Sequence, residues 1–490
     1  MKKLYLITSW LIACCIFPSS LFAAIDGDTV WEVRTTGSAN NGGGFNPTNA
    51  TPGTDYSQQD AAEDSGTDLA CADGDAAAPV VTSATHNFVD ADEGNLIQIT
   101  ETGDGFTVGW YEIVSTSGNA ATLDRACGTD GAKTGGDWYL GGAVDHPNTI
   151  SAALTARNII YVKNGTYVKV GANAFVLSIG SSNISSVWIG YNAARTTTPT
   201  STDRPIWDGD SDNNGINDTT NVIYYSAACT PMFKNIIIKR ASADGIGHNG
   251  NLAMTSSYTN CLLTLNSDDG VSAATNPALV FTNCEISSNT DMGIDCSAPS
   301  YAEIYYSYIH DNGDNGIWDY QGSVRSYFSV YDTNVSAGIN QNDTDASIYI
   351  GNVFYNNTGA SGVGLQGNGM TYVFNNISVD NGKYGFATTL TSVRLFDYNL
   401  YNGNGTAGLS GITAGLHDST SAPSFTASAT GDFTLQAGSP ALDTGMQPGT
   451  DTGLTGDYKI NIGVDQDTNT VTAGGGQGGR NARIGAGIGG

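Results

Sequence analysis

A glycine followed by an apolar residue recurs at nearly constant spacing through the second half of the chain. The eight pairs are Gly245-Ile246, Gly270-Val271, Gly293-Ile294, Gly316-Ile317, Gly338-Ile339, Gly362-Val363, Gly385-Phe386 and Gly408-Leu409, at spacings of 25, 23, 23, 22, 24, 23 and 23 residues. Asparagine stands four residues before most of these glycines, at Asn266, Asn289, Asn312, Asn334, Asn381 and Asn404, and five before at Asn357. Such a period indicates one structural unit stacked many times along an axis.

The composition of the repeat favours short strands over helices. Val, Ile, Tyr and Thr are typical of strands, and Asn and Gly are typical of turns. A repeat of this length suits three short strands joined by turns, each pairing with its equivalent in the next repeat about 4.8 Å away. We expect the apolar residue after each glycine to point inward. We expect the asparagine to turn inward at a bend, where its amide bonds backbone groups and the next asparagine.

This pattern resembles that of the right-handed β-helix proteins related to pectate lyases, which include secreted β-helix repeat proteins and phage tailspikes. The resemblance covers roughly residues 147 to 445. It implies an all-β fold, a right-handed parallel β-helix solenoid. It does not fix an activity, because that fold hosts lyases, hydrolases, epimerases, adhesins and inert stalks.

The remaining segments predict further units around the solenoid. Residues 25–146 lack the repeat and alternate apolar and polar positions between turn residues, which indicates a small β-rich N-terminal module. The solenoid is predicted over 147–430 and begins with a short capping helix. Residues 431–470 form a closing segment, in which "DFTLQAGSPALDTG" resembles the C-terminal motif of many secreted β-helix proteins. Residues 471–490 are a flexible Gly-rich tail.

Residues 1–24 have the features of a secretory signal peptide, with two lysines, an apolar run and small residues. Cleavage near Ala23 or Ala24 would release a secreted or extracellular protein. Alternatively, Leu11 to Cys14 resembles a bacterial lipobox, in which Cys14 would be acylated. No later segment of the sequence has the pattern of a transmembrane span.

The charge balance excludes one class of partner. The chain has 19 Lys and Arg against 47 Asp and Glu, a formal net charge of -28. Nucleic-acid binding requires clustered basic residues that neutralise phosphates. An acidic surface instead suits an extracellular protein that attracts cations.

The first candidate site is a calcium loop. Asp210, Asp212, Asn214 and Asp218 alternate with other residues around a glycine, as in EF-hand-like and thrombospondin type-3-like loops. Such oxygen-bearing side chains suit a cation that takes six to eight oxygen ligands. Asn221 stands where an EF-hand has a bidentate Glu. We expect Ca²⁺ here to be structural, with an acidic surface turn as the alternative.

The second candidate is an acidic column. Asp268, Asp291 and Asp314 lie two residues before the glycine in three successive repeats. Stacking would place neighbours about 4.8 Å apart and alternate ones about 9.6 Å apart, near the separations of retaining and inverting glycosidases. Alternatively, the column holds calcium for a uronate-cleaving lyase, or its members are turn aspartates. Lys239 and Arg240 come one repeat earlier and are candidate basic partners.

The third candidate is a sugar-binding surface around Trp318. Alternation along the strand places Trp318 outward, in line with Asp295 of the preceding repeat. Asp319, Tyr320 and Arg325 follow closely in sequence. An outward aromatic ring flanked by polar groups offers an apolar face and hydrogen bonds to a sugar. Packing of Trp318 under a loop is the alternative.

Three functions remain open from the sequence. The first is a secreted or surface-displayed protein that binds a polysaccharide or glycan along its flank. The second is a polysaccharide lyase or glycoside hydrolase that uses the acidic column. The third is a structural or tailspike-like spacer without a ligand.

Overall fold

The computed structural model describes residues 25, 27–100, 105–154, 157–171, 174–180, 185–248, 254–273, 277–297, 300–343, 345–359, 361–389, 395–446 and 461–464. They form a parallel β-solenoid and a closed β-barrel that precedes most of it. The predicted signal segment with Cys14, and the predicted tail at 471–490, lie outside the described residues.

Three sheets form the walls of the solenoid, and each complete turn contributes one strand to each sheet. The first sheet has two further strands at its N-terminal end. The first sheet contains Gly44–Phe45, Val30–Val33, Ile159–Lys163, Val187–Tyr191, Met232–Lys234, Met254–Thr259, Pro277–Thr282, Tyr301–Tyr305, Ser323–Tyr327, Ser347–Ile350, Met370–Phe374 and Leu395–Asp397. The second contains Thr166–Val168, Ile206–Asp208, Ile237–Lys239, Leu262–Thr264, Glu285–Ser287, Tyr308–His310, Val330–Asp332, Val353–Tyr355, Ile377–Val379 and Leu400–Asn402. The third contains Leu177–Ile179, Ile223–Tyr225, Ile246–His248, Val271–Ser272, Ile294–Cys296, Ile317–Asp319, Ile339–Gln341, Val363–Gly367, Tyr384–Ala387 and Ala407–Ser410.

The repeated glycines stack at the start of the third sheet, as predicted. Ile294 pairs with Ile317 in parallel register, and both side chains are fully buried. A Cβ atom at Gly293 would lie 2.5 Å from the carbonyl oxygen of Gly316 in the next turn. Glycine is therefore required by the close approach of successive turns at this corner.

The predicted register is wrong by two residues in the sixth repeat. Ile339 pairs with Leu365 instead of Val363, and a Cβ at Gly338 would meet the carbonyl oxygen of Gly364. The turn that follows Asn357 is longer than its equivalents, so the structural glycine is Gly364. This turn contains two Gly-apolar pairs, Gly362-Val363 and Gly364-Leu365, and spacing alone selects the wrong one.

The asparagines form a continuous buried ladder at the corner between the second and third sheets. In each turn the side-chain amide donates to the side-chain oxygen of the next, for example Asn289 Nδ2 to Asn312 Oδ1 at 2.9 Å and Asn312 Nδ2 to Asn334 Oδ1 at 2.9 Å. Asn312 also donates to the Ile286 carbonyl oxygen at 3.2 Å and accepts from the Asn289 backbone N–H at 3.2 Å. The predicted inward orientation is confirmed.

The N-terminal module contains a closed antiparallel barrel with its own apolar core. Its strands are Asp64–Cys71, Val80–Thr82, Leu96–Ile99, Gly109–Ser117, Ala120–Leu123 and Lys133–Leu140. The boundary predicted at residue 146 does not separate this module from the solenoid, because Val30–Val33 pairs in parallel with Ile159–Lys163. The first sheet therefore begins before the barrel, which is inserted between its first two parallel strands.

Short helical segments complete the described elements. The helix Pro147–Ile150 stands at the entry of the solenoid, and the His146 side chain accepts from the Asn148 backbone N–H as its N-cap. The 3₁₀ helices are Tyr56–Gln58, Asp90–Asp92 and Ser428–Thr430. Among the described residues, no helix has the length and apolar character needed to cross a bilayer.

The C-terminal segment covers the outer face of the second sheet. The antiparallel strands Phe425–Ala427 and Asp432–Leu435 form a hairpin. Phe433 and Ile462 join a buried apolar cluster with residues of the second-sheet strands, such as Val353 and Ile377. Because this face is covered, the outer surfaces of the first and third sheets are the walls left for a ligand in this part of the solenoid.

Candidate functional site

A line of aspartates follows the corner that leads into the third sheet. The backbone N–H of Asp291 donates to the carbonyl oxygen of Asp268 at 3.1 Å, and that of Asp314 donates to Asp291 at 3.0 Å. These residues therefore occupy equivalent positions in consecutive turns. Asp268 is exposed and the other two are half-buried. The structure thus brings Asp268, Asp291 and Asp314 together; whether they are catalytic stays a prediction.

The outer surface of the third sheet continues from this corner. Asp295 pairs with Trp318 in parallel register, and Trp318 pairs with Asn340. All three are half-buried, as the strand alternation predicts for outward side chains. The Trp318 and Tyr320 rings are nearly parallel, with centroids 6.4 Å apart and planes at 13°. We call the surface formed by Asp268, Asp291, Asp314, Asp295, Trp318 and Tyr320 the third-sheet face.

Two further carboxyl groups lie beside the column and were not predicted. Asp244 and Asp269 are the residues directly before the glycine in two consecutive repeats. Asp269 is 6 % exposed, and its side chain accepts from the Met292 backbone N–H at 2.9 Å. The Asp-Gly dipeptide that recurs in these two repeats could have indicated this pair from the sequence. Asp-Gly is also an ordinary turn sequence, however, so the indication is weak.

Burial and repulsion between neighbouring carboxylates raise the pKa values of several of these aspartates. Burial, reinforced by Asp295, Asp244 and Asp268, raises the pKa of Asp269 to about 8. Burial and then Asp268 raise the pKa of Asp244 to about 6. The pKa values of Asp291 and Asp295 are also raised, first by burial and then by neighbouring carboxylates. At neutral pH the buried carboxyl group of Asp269 is therefore protonated.

The basic side chains nearest in sequence do not neutralise this cluster. Arg240 Nη1 lies 3.0 Å from Asp210, its Nε lies 2.7 Å from Asp208, and Lys239 Nζ lies 3.4 Å from Asp208. The suggestion that Lys239 and Arg240 serve the acidic column is therefore wrong. In the described part of the chain, no ion pair involves Asp244, Asp269 or any aspartate of the third-sheet face.

Asp319 does not belong to the third-sheet face, contrary to the prediction. It follows Trp318 on the same strand, so alternation turns it into the solenoid interior, where it is fully buried. Its Oδ1 accepts from the Gly322 backbone N–H at 2.7 Å. Burial, with Asp343 and Asp345, raises its pKa to about 7.

Arg325 lies around the next corner from Trp318. It belongs to the first-sheet strand Ser323–Tyr327, with its guanidinium 4.9 Å from the centre of the Tyr301 ring and 3.7 Å from Glu303. Closeness in sequence therefore misplaced it on the same surface as Trp318. The aspartates, Trp318 and Tyr320 share one surface, and Arg325 and Asp319 do not.

The candidate calcium loop is in contact with an arginine side chain. Asp210, Asp212 and Asp218 each place one carboxylate oxygen within 4.8 Å of the others. Arg240, however, contacts Asp210, and the Asn214 oxygen accepts from the Ile216 backbone N–H at 2.7 Å. The donor set suits a hard cation, but an arginine already supplies positive charge at Asp210. Calcium binding here stays a prediction.

The raised pKa values predict that alkaline pH destabilises the fold. An ordinary aspartate titrates near pH 3.9, so between about pH 4 and 8 the folded chain holds a proton on Asp269 that the unfolded chain has released. This contribution to stability is complete below the ordinary pKa and is lost as pH rises through about 8. We expect Asp269→Asn to reduce the loss of unfolding free energy between pH 5 and 9 in urea titrations. Asp203→Asn, the same substitution at a half-buried position, is the control and should leave this loss of unfolding free energy unchanged. If Asp269→Asn loses as much unfolding free energy between pH 5 and 9 as the unmodified protein does, the raised pKa of Asp269 is contradicted.

Comparison with known proteins supports the fold of the solenoid. Residues 206–354 match the family model described as "Right handed beta helix region". A comparison with curated proteins finds no match.

Several solved structures are similar to this chain. The pectate lyase Pel9A is 16% identical with a TM-score of 0.45, over 67% of this chain and 91% of that one. The A-module of the mannuronan C-5 epimerase AlgE4 from Azotobacter vinelandii is 13% identical with a TM-score of 0.30, over 54% and 91%. The tailspike protein gp49 from Pseudomonas phage LKA1 is 12% identical with a TM-score of 0.27, over 74% and 64%.

The segment that matches the family model begins and ends within the solenoid. It starts at the second-sheet strand Ile206–Asp208 and stops in the second-sheet strand Val353–Tyr355. The strands before and after it continue the same three sheets in parallel register. This chain is therefore a right-handed parallel β-helix protein.

Proposed function

We propose that the third-sheet face binds a polysaccharide. The observation that carries this proposal is the nearly parallel pair of Trp318 and Tyr320 beside aspartates aligned in consecutive turns. Flat aromatic rings offer an apolar surface to the faces of sugar rings, and carboxylates accept hydrogen bonds from sugar hydroxyls. A repeating wall suits a repeating ligand, because equivalent contacts recur from turn to turn.

The charge of this surface selects among polysaccharides. Ionised carboxylates without basic partners repel other carboxylates at short range. A neutral polysaccharide meets no such repulsion, whereas a uronic-acid polymer requires a divalent cation between the two sets of carboxylates. The surface therefore favours neutral polymers, and anionic ones only with calcium.

Replacement of Trp318 tests the proposal. The protein is run in native gels containing neutral polymers (xylan, mannan, β-glucan) or anionic ones (polygalacturonate, alginate), with calcium chloride or a chelator. We expect retardation by a neutral polymer in either condition and about a tenfold weaker affinity for Trp318→Ala, equivalent to about 1.4 kcal/mol. Tyr372→Ala removes an exposed ring from the first sheet and should bind as the unmodified protein does.

Two results would count against the proposal. One is the absence of retardation by every polymer in the panel. The other is equal retardation of the Trp318→Ala and Tyr372→Ala variants, because binding would then occur on another surface.

Glycoside hydrolysis is a second candidate function, and the protonated state of Asp269 favours it. An acid with a pKa of about 8 carries a proton at neutral pH, as a general acid must. Carboxylate oxygens of Asp268, Asp269 and Asp291 lie within 4.8 Å of one another, close to the separation of about 5 to 5.5 Å between the two carboxyl groups of retaining glycosidases. The same polymers, incubated with the protein and assayed for new reducing ends, separate hydrolysis from binding alone.

A further inference from the structure

A cleft of about 230 Å³ opens at the corner between the third and first sheets. Its lining comes from successive turns and includes Ser300, Tyr301, Gln321, Ser323 and Asp345. Gln321 follows Tyr320 directly in the chain, so the cleft adjoins the aromatic end of the third-sheet face. Pockets for drug-sized ligands start at about 300 Å³, so this volume suits a single sugar ring.

The lining combines the two kinds of surface that a sugar ring requires. Tyr301, Pro277 and Ala278 supply apolar surface along the first-sheet side. Gln321 and Asp345 supply hydrogen-bonding side chains. A sugar ring has apolar C–H faces, which suit the apolar side of the lining, and a polar edge of hydroxyl groups, which suits the hydrogen-bonding side chains.

Polar groups beneath the cleft lack partners. Among the described residues, the Ser300 hydroxyl and Asp319 Oδ2 are buried without a hydrogen-bond partner of good geometry. A Cβ atom at Gly322 would lie 3.1 Å from Ser300 Oγ and 2.9 Å from Asp319 Oδ1, so both groups sit below the turn between Gln321 and Ser323. The Cys296 thiol adjoins the Ser300 hydroxyl, but sulfur is a weak partner. Both oxygens have almost no solvent-accessible surface, so they form part of the floor of the cleft and do not contact a ligand directly.

The charge of the cleft disfavours an acidic sugar. Asp345 is its one charged lining residue, and Asp345 and Asp343 both lie close enough to Asp319 to raise the pKa of that carboxyl group. The nearest arginine of the adjoining strand, Arg325, is directed to Glu303 and the Tyr301 ring. A uronate would therefore meet the Asp345 carboxylate, while the guanidinium of Arg325 is already paired with Glu303.

We infer that this cleft binds one sugar unit without negative charge, as a side branch or chain end of the polysaccharide on the third-sheet face. The inference rests on the proposed function for the identity of the larger ligand. The single-sugar site itself rests on the cleft, its mixed lining and the charge of Asp345, so the two can be tested apart.

The test uses saturation-transfer NMR of the full chain with methyl glucoside, methyl galactoside, methyl mannoside and methyl glucuronide. We expect a signal from at least one neutral glycoside and none from the glucuronide. Ala278→Trp fills the cleft and should lower the signal at least about tenfold, because the indole ring occupies the volume that the sugar needs. Val280→Trp places the same ring two residues further along the strand, outside the cleft lining, and should leave the signal unchanged.

Asp345→Ala is a second variant at an exposed position, which keeps the test decisive if Ala278→Trp fails to fold. It should also lower the signal. The inference is overturned if no neutral glycoside gives a signal, if the signal persists in both cleft variants, or if the glucuronide binds best.

Trp318→Ala separates this inference from the proposed function. It should weaken polymer binding and leave the glycoside signal intact. Glycoside binding without polymer retardation would reject the proposed function and retain the cleft. Polymer retardation lost in Trp318→Ala, with no glycoside signal, would reject the cleft and retain the proposed function.

Discussion

Replacing Asn312 by alanine is expected to lower the free energy of unfolding of the solenoid by about 3 kcal/mol or more. The substitution removes side-chain bonds to Asn334 and the Ile286 carbonyl oxygen, and it leaves two N–H groups of Asn289 without their acceptor. Asn312 is fully buried, so water does not replace these bonds at low cost. In a solenoid each turn is stabilised by its neighbours, so the loss reaches the adjacent turns. Urea unfolding followed by circular dichroism measures the change.

An exposed asparagine in the following turn provides the control. Asn342→Ala makes the same chemical change at an exposed position, and we expect an effect within about 0.5 kcal/mol. If Asn312→Ala and Asn342→Ala unfold at the same urea concentration, the ladder does not stabilise the fold as argued.

Replacing Glu32 by glutamine is expected to cost about 3 to 5 kcal/mol. The Glu32 carboxylate is fully buried on the first-sheet strand Val30–Val33. It accepts from Arg34 Nε at 2.8 Å, from Arg195 Nε at 2.7 Å and from the Tyr191 hydroxyl. The amide removes the negative charge that both guanidinium groups share, so that Arg34 keeps only Asp60 and Arg195 only Asp55 as carboxylate partners. Because Tyr191 lies two strands away from Glu32 in the sheet, the change loosens the N-terminal end of the solenoid.

Thermal unfolding and backbone hydrogen exchange measure this effect. Faster exchange is expected in Val30–Val33 and its partner strand Ile159–Lys163. Asp28→Asn, which breaks an exposed contact of 3.4 Å with Arg157, should cost less than about 1 kcal/mol. A Glu32→Gln variant as stable as Asp28→Asn would show that the buried charge is not needed.

The periodic part of the fold could be predicted from the sequence because each turn repeats the same requirements. Close stacking of turns selects glycine at one corner, and the ladder selects asparagine at Asn289, Asn312 and Asn334. The predicted register failed between Asn357 and Gly364, where the turn is longer than its equivalents. Two Gly-apolar pairs occur there, and only one of them occupies the stacked position. The strand Val30–Val33 could not be placed, since its partner Ile159–Lys163 lies beyond an inserted barrel.

The candidate site was predictable to the extent that it follows the repeat. The alignment of Asp291 with Asp314, and of Asp295 with Trp318, follows from register alone. Asp319 was misplaced because the alternation that turns Trp318 outward turns the next residue into the interior. Arg325 was misplaced because a corner separates it from Trp318. The raised pKa of Asp269 depends on burial, which spacing does not report.

Hydroxyl-radical footprinting tests the central claim most directly, with the neutral polysaccharide that retards the protein most. Oxidation of each aromatic side chain is compared by mass spectrometry with and without the polymer. If the third-sheet face is the binding surface, the polymer protects Trp318 and Tyr320, and the exposed rings of Tyr372 and Tyr306 stay equally reactive. Protection of Tyr372 or Tyr306 with Trp318 unchanged would contradict it.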